Sequence, residues 1–168
     1  PGPPRNHGPP MPIHPQLLAK RLTIMSGSKF KKAIILPHPL ILASASPRRR
    51  VLLSEAGFTF DVLAPNISEP TLPQNQSVNG KVWAETLAYF KARTISLNHP
   101  EAIVIGADTL VLHGKQIIGK PADQEDARRI LTTMFGGKNQ VITGLAILKS
   151  KTHQKIITHV STTLTMRE

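Results

Sequence analysis

Leu40-Ile41-Leu42-Ala43, running into Ser44-Ala45-Ser46-Pro47-Arg48-Arg49-Arg50, decides how the rest of the chain reads. Four consecutive apolar residues are compatible with a short buried strand. Ser46 is a residue type that caps helix N-termini, and Pro47 suits the first helical position, where its missing amide would be unpaired anyway. The helix this predicts runs through Val51, Leu52, Leu53 and Ala56 to a stop at Gly57. Three arginines in its first turn have the wrong sign for a helix N-terminus, which carries about half a positive charge from unpaired amides. An anion would reverse that sign. Serine hydroxyls, free amides and guanidinium forks together would make a triphosphate cradle, while a solvated basic turn or a nucleic-acid contact would also accommodate them.

Working outward, Phe58, Phe60 and Val62 alternate with Thr59 and Asp61 as in a half-buried strand. Residues 64–77, with Pro65, Pro70 and Pro73, read as a loop. A helix is predicted from about Val78 to Leu97, with Trp83 packed in the core, ending at Asn98-His99-Pro100. Ala102 to Ala107 reads as a second buried strand with Asp108-Thr109 at its end, extended by Leu110-Val111-Leu112 to a turn at 113–116. Asp123 can cap a helix from Gln124 to Met134, with Glu125 and Asp126 suitably placed in the first turn and Gly136-Gly137 closing it. Gln140 to Leu148 and Lys155 to Thr165 read as a strand pair around residues 150–153. Strands alternating with helices imply an α/β domain with a mixed sheet.

The chain has 168 residues, enough for one domain and a tail. Its apolar fraction of 40% and charged fraction of 18% argue against wholesale disorder. No apolar run approaches the ~18 residues of a membrane-spanning helix. The absence of cysteine excludes a disulfide scaffold, a thiolate zinc site and a cysteine nucleophile. The net charge is +11, and residues 1–54 hold nine basic and no acidic side chains, whereas 55–168 hold 12 basic and 10 acidic ones. A basic front end suits nucleic acid, an acidic membrane or a polyanionic small molecule. Seven of the first 15 residues are proline, so 1–32 is expected to be a disordered basic tail, an upstream extension or a targeting segment, ahead of a domain over 33–168.

Three places can carry chemistry besides the arginine turn. Asp108 lies at the end of a buried strand, where open α/β sheets bind ligands; it could hold Mg²⁺, activate a water, or merely cap a turn. Lys120, in Gly119-Lys120-Pro121, could reach a phosphate as a point charge or simply be solvated. Thr143-Gly144 could place a hydroxyl and bare backbone in the same cleft or mark a bulge. Glu69, Glu85 and Lys91 are weaker candidates, and the six-residue spacing of Glu85 and Lys91 is not that of a helical ion pair. The histidines do not cluster like metal ligands.

Taken in order, Leu40–Arg49, Leu52-Leu53, Phe60, Glu69, Lys91-Ala92, Ile105-Gly106-Ala107-Asp108-Thr109, Gly119-Lys120-Pro121 and Val141-Ile142-Thr143-Gly144 resemble the Maf (septum formation protein) family of nucleoside triphosphate pyrophosphatases. The resemblance implies a Maf/Ham1-like twisted mixed sheet flanked by helices, with two lobes around a cleft. It also implies that the chain stops before the family's final segment, leaving out one wall of that cleft. The implied reaction is hydrolysis of a nucleoside triphosphate to the monophosphate and pyrophosphate, with a divalent cation, Mg²⁺ or Mn²⁺, in the cytoplasm. Asp108 matches the family's proton acceptor, Arg48 and Thr109 match positions linked to substrate choice, and Ser46, Arg49, Glu69, Lys91 and Lys120 match polar cleft positions. Glu69 and Asp108 could hold the metal, and which of them acts as base stays open. The Ser-Pro-Arg-Arg and Gly-Ala-Asp-Thr versions resemble the dTTP/UTP branch. Asn139 stands where the family more often has histidine. A homodimer remains open, no membrane partner is expected, and nucleic acid is disfavoured. The competing functions are a non-catalytic nucleotide-binding or cell-division regulatory protein on the same fold and a basic nucleic-acid-binding module.

Overall fold

The computed structural model describes residues 34–68, 70 and 79–167. The basic tail expected over 1–32, much of the predicted 64–77 loop, and Glu69 lie outside the described residues. Among the described residues, no helix is long and apolar enough to cross a membrane.

Strand β1 (Leu40–Ala43) is buried at all its positions, as its unbroken apolar run requires. It leads through Ser46 into helix α1 (Pro47–Glu55), with proline at the start. Ser46 holds the N-cap position, but its side chain makes no capping bond; its amide instead donates to Ser44 Oγ at 3.2 Å. Helix α1 returns the chain to β2 (Asp61–Val62), parallel to β1. The strand expected from Phe58 therefore shrinks to two residues plus an isolated bridge between Ile34 and Phe58.

Next come α2 (Gly80–Asn98), β3 (Ile103–His113), β4 (Gln116–Ile118), α3 (Gln124–Met134), β5 (Lys138–Lys149) and β6 (Gln154–Thr165). Helix α3 has the predicted limits because its signals are local: Asp123 Oδ1 accepts from the Asp126 amide at 2.8 Å. The sheet order is β2-β1-β3-β5-β6, with β4 also on β3. β1 is parallel to β2 and β3, whereas β4 and β5 run antiparallel to β3, and β6 antiparallel to β5. The sheet is thus mixed, as the alternation of elements predicts.

One face of this sheet carries α2. Gly80, Ala84, Ala88, Ala92 and Ser96 recur every four residues and are buried along one side of the helix. Facing them are alternate positions of β3 and β5, and two of these are glycine. A Cβ on Gly106 would lie 2.4 Å from the Ala88 carbonyl oxygen, and one on Gly144 2.2 Å from that of Ala84. The helix backbone therefore rests on the strands with no side chain between. Around this contact Ile41, Ala43, Ala102, Val104, Ala146 and Leu148 form the main core, with Leu112 and Ile142 in a second cluster under the N-terminal half of α2. Trp83 is half-buried and belongs to neither cluster, contrary to the expectation of core packing. Its position in α2 is three residues from Gly80 and one from Ala84, off the small-residue stripe.

Buried Asn139 joins α3 to β5: its amide donates to the carbonyls of Met134 and Gly137 at 3.1 and 3.4 Å, and Oδ1 lies 2.9 Å from His113 Nδ1. The residue at this departure from the family pattern thus has all its polar atoms engaged.

Candidate active site

β3 is longer than its neighbours on one edge, and that mismatch makes the site. β5 pairs with β3 without interruption from Val104 to His113 along the other edge. On the remaining edge β1 pairs as far as Ala43 with Gly106, and β4 begins at Val111 with Ile118. Residues 107–110 fall in the gap between them. The turn from Ser44 to Arg50 leaves β1 on one side of the gap. On the other, the chain leaves β4 through Gly119-Lys120 in the antiparallel direction, back toward Thr109.

Asp108 and Thr109 occupy this gap, and consecutive strand residues point to opposite faces. Thr109 points away from α2. Its Oγ1 accepts from Arg49 Nη2 at 3.0 Å, and it shares a 3.1 Å hydrogen bond with Thr143 Oγ1, its cross-strand partner on β5. Arg49 Nη1 donates to Ser44 Oγ at 3.2 Å, so the guanidinium is held by two hydroxyls. Partial burial lowers the Arg49 pKa from its usual value; Asp108 opposes the fall and Arg48 adds to it. A cation fixed by neutral groups and partly stripped of water is poised to receive an anion.

Asp108 points the other way, toward α2, where its Oδ1 accepts from Lys91 Nζ. Both side chains are nearly buried. Lys91 lies one helical residue before Ala92, which packs over Gly106, so the close helix–sheet contact sets the reach of the lysine. Farther along the same row, Gly144 pairs with His159 of β6, whose Nδ1 lies 2.7 Å from Glu85 Oε1 on α2.

The predicted residues separate accordingly. Arg49 is joined to Thr109, and Lys91 to Asp108, by hydrogen bonds on adjacent residues of β3, and Ser46 lies in the adjoining turn. Arg48 lies in the first turn of α1 and Lys120 two residues beyond the end of β4, both exposed, with no side-chain hydrogen bond to another described residue. Glu69 is outside the described residues. Ser44 and Thr143 do more than their sequence signals suggest. Ser44 is buried to 4% exposure immediately after an apolar strand, and a buried hydroxyl there needs a partner.

The donors at the gap are a carboxylate and hydroxyls. Among the described residues no three His, Asp or Glu side chains converge as a metal-binding group. Because the hydroxyls are turned to Arg49 on the opposite face, Asp108 alone would serve a cation here, which fits a hard divalent ion completed by waters and phosphate oxygens and does not fit a closed protein cage.

The family model described as Maf-like protein matches residues 39–168 of the chain. A dTTP/UTP pyrophosphatase of Desulforamulus reducens is 41% identical over 122 residues, covering 73% of this chain and 62% of that protein. Proteins of the same name from Symbiobacterium thermophilum and Vibrio cholerae are each 38% identical, over 73% and 71% of this chain and 61% and 63% of their own lengths. The chain thus spans about three-fifths of the length of these curated relatives. A HAM1 protein from Coxiella burnetii superposes with a TM-score of 0.48 at 15% identity, over 75% of this chain and 71% of that one.

Proposed function

This chain belongs to the Maf-like protein family, and from that premise we propose that the gap beside β3 hydrolyses nucleoside triphosphates to the monophosphate and pyrophosphate. The observation that carries the reading is the pairing of opposite tasks on two adjacent residues. Thr109 holds a guanidinium that can grip phosphate, and Asp108 offers a carboxylate oxygen fixed by Lys91.

Cleavage between the α and β phosphates needs an attacking water to lose a proton and a highly charged leaving group to be neutralised. In this reading Asp108 accepts the proton, which its seat on a rigid strand against the buried edge of α2 supports. Arg49 supplies a fork of donors in a set orientation, and Arg48 and Lys120 supply mobile charge. Asp108, with Glu69, would hold a divalent cation, Mg²⁺ or Mn²⁺, which when bound supplies charge neutralisation at the phosphate oxygens. The names of the relatives support dTTP and UTP as substrates, and in this reading Thr109 and Arg48 contribute to that choice.

The test is a panel of canonical and modified triphosphates offered with Mg²⁺ or Mn²⁺, with pyrophosphate as the measured product. Release that is fastest with dTTP or UTP is expected. Tight nucleotide binding without pyrophosphate would replace this reading with a sensor. Steeply salt-dependent nucleic-acid binding without turnover would replace it with a basic binding module.

A further inference from the structure

We propose that Thr143 is a positioning residue that fixes the Arg49 guanidinium through Thr109. The proposal deepens the function given above and rests on that reading for its consequence, although the positioning itself can be measured without nucleotide. Thr143 lies on β5, directly across from Thr109 in the ladder, and their hydroxyls are 3.1 Å apart. Thr109 Oγ1 is at the same time the acceptor for Arg49 Nη2 at 3.0 Å. The three groups therefore form one chain, Thr143–Thr109–Arg49, anchored on the β5 side of β3.

The logic is one of constraint without neutralisation. A carboxylate in Thr109's place would hold the arginine but cancel the charge that phosphate must meet. A hydroxyl holds the arginine and leaves the charge intact. A lone threonine hydroxyl, however, can leave the arginine by rotating about χ1, since the threonine side chain has more than one accessible rotamer. The cross-strand bond to Thr143 disfavours that rotation. Hydroxyl pairs of this kind are a recognised cross-strand interaction in antiparallel sheets. Among the described residues no hydrogen bond joins Thr143 to Arg49 directly, so its effect on ligand should run through Thr109 and depend on the arginine.

The variant is Thr143→Val, which removes the hydroxyl and keeps the β-branched shape on a strand. Nitrogen NMR of the arginine side chains in the full 168-residue chain reads the result directly, with the Arg49 signals assigned by their loss in Arg49→Lys. In the wild type, restricted rotation of the guanidinium should give resolved Nη signals. In Thr143→Val these should merge, and Thr143→Ser should restore them. Unchanged Arg49 signals in a folded Thr143→Val protein overturn the proposal. So does a folded Thr143→Ser protein with merged signals, which keeps a test in hand if the valine variant does not fold.

Triphosphate binding then separates this proposal from the function it rests on. Affinity should fall roughly two- to tenfold in Thr143→Val, the range of a single neutral hydrogen bond. The loss should vanish when the same change is made in an Arg49→Lys background, because the pathway is already broken. A loss that persists there shows a general structural effect and overturns the positioning role. Merged NMR signals in Thr143→Val together with a wild type that binds no triphosphate would leave the positioning standing and sink the proposed function alone.

Discussion

Gly144→Ala adds one methyl group at the point where α2 touches β5, and the consequence can be worked from distances. The new carbon would lie 2.2 Å from the Ala84 carbonyl oxygen, 2.3 Å from the Ala84 carbonyl carbon and 2.5 Å from the Glu85 nitrogen. All three neighbours are main-chain atoms, so no rotamer change relieves them. Reaching ordinary contact near ~3.4 Å requires the helix and strand to part by about 1.2 Å. Forced overpacking of this kind costs about 1–3 kcal/mol, and the rigid neighbours place it at about 2–3. For a domain of this size each kcal/mol lowers the melting temperature by roughly 2–4 °C, which gives a fall of about 4–12 °C. Because the lifted helix carries Lys91, the Lys91–Asp108 bond should weaken as well. Circular dichroism melts of Gly144→Ala beside Gly119→Ala provide the measurement, since a Cβ at Gly119 meets nothing within 4 Å. A Gly144→Ala protein that melts with the wild type would refute the claim that helix and sheet meet backbone to backbone.

Asp108→Asn should lower pyrophosphate release at least ~100-fold in the triphosphate assay, since the amide cannot accept the proton, while the melting temperature stays within several degrees; near-normal turnover would remove Asp108 from its role. Asn139→Ala should cost about 1–3 kcal/mol, measured as a shift of the urea midpoint, because it empties a buried site and removes the partner of His113 Nδ1, while the Met134 and Gly137 carbonyls keep the backbone amides of Gly137 and Met166. The hydrogen bond from Arg129, then the Ala122 amide, holds the Asp126 carboxyl below its usual pKa. A carboxyl lowered by folding contributes stability at neutral pH that disappears as pH drops through its folded value, below ~3.9. The protection of α3 amides, taken as their exchange relative to the unstructured rate at the same pH, should therefore fall on acidification into that range, and Asp126→Asn should flatten the dependence.

Local signals are legible in the sequence alone. Asp123, the acidic first turn and the following glycines set both ends of α3, because capping is decided within a few residues. The buried runs of β1 and β3 were equally plain, as was Asp108 at an interesting place on one of them. The β2 strand was over-read because alternation at Phe58, Phe60 and Val62 says nothing about how much partner strand is available. The three consecutive arginines looked alike in sequence, yet only Arg49 turns to Ser44 and Thr109. Successive side chains on a helix diverge by about 100°, so one of the three can face a given strand, and which one depends on how the helix is docked. Lys91 had no physical warrant from spacing, since its partner is Asp108, 17 residues on and in another element. Only the seating of α2 on Gly106 and Gly144 brings those two groups together, and a glycine in a strand announces room without saying what occupies it.

The interruption along the outer margin of β3 also dictates the shape of whatever lodges there. Asp108 and Thr109 point to opposite sides of a wall one strand thick. The side that Asp108 faces is covered by α2, so a flat or rounded molecule resting on the open side would meet Thr109 and miss Asp108. To engage both, an occupant has to hook over the rim like a strap over a rail. Long, jointed molecules are favoured over stubby ones before any functional group has been read.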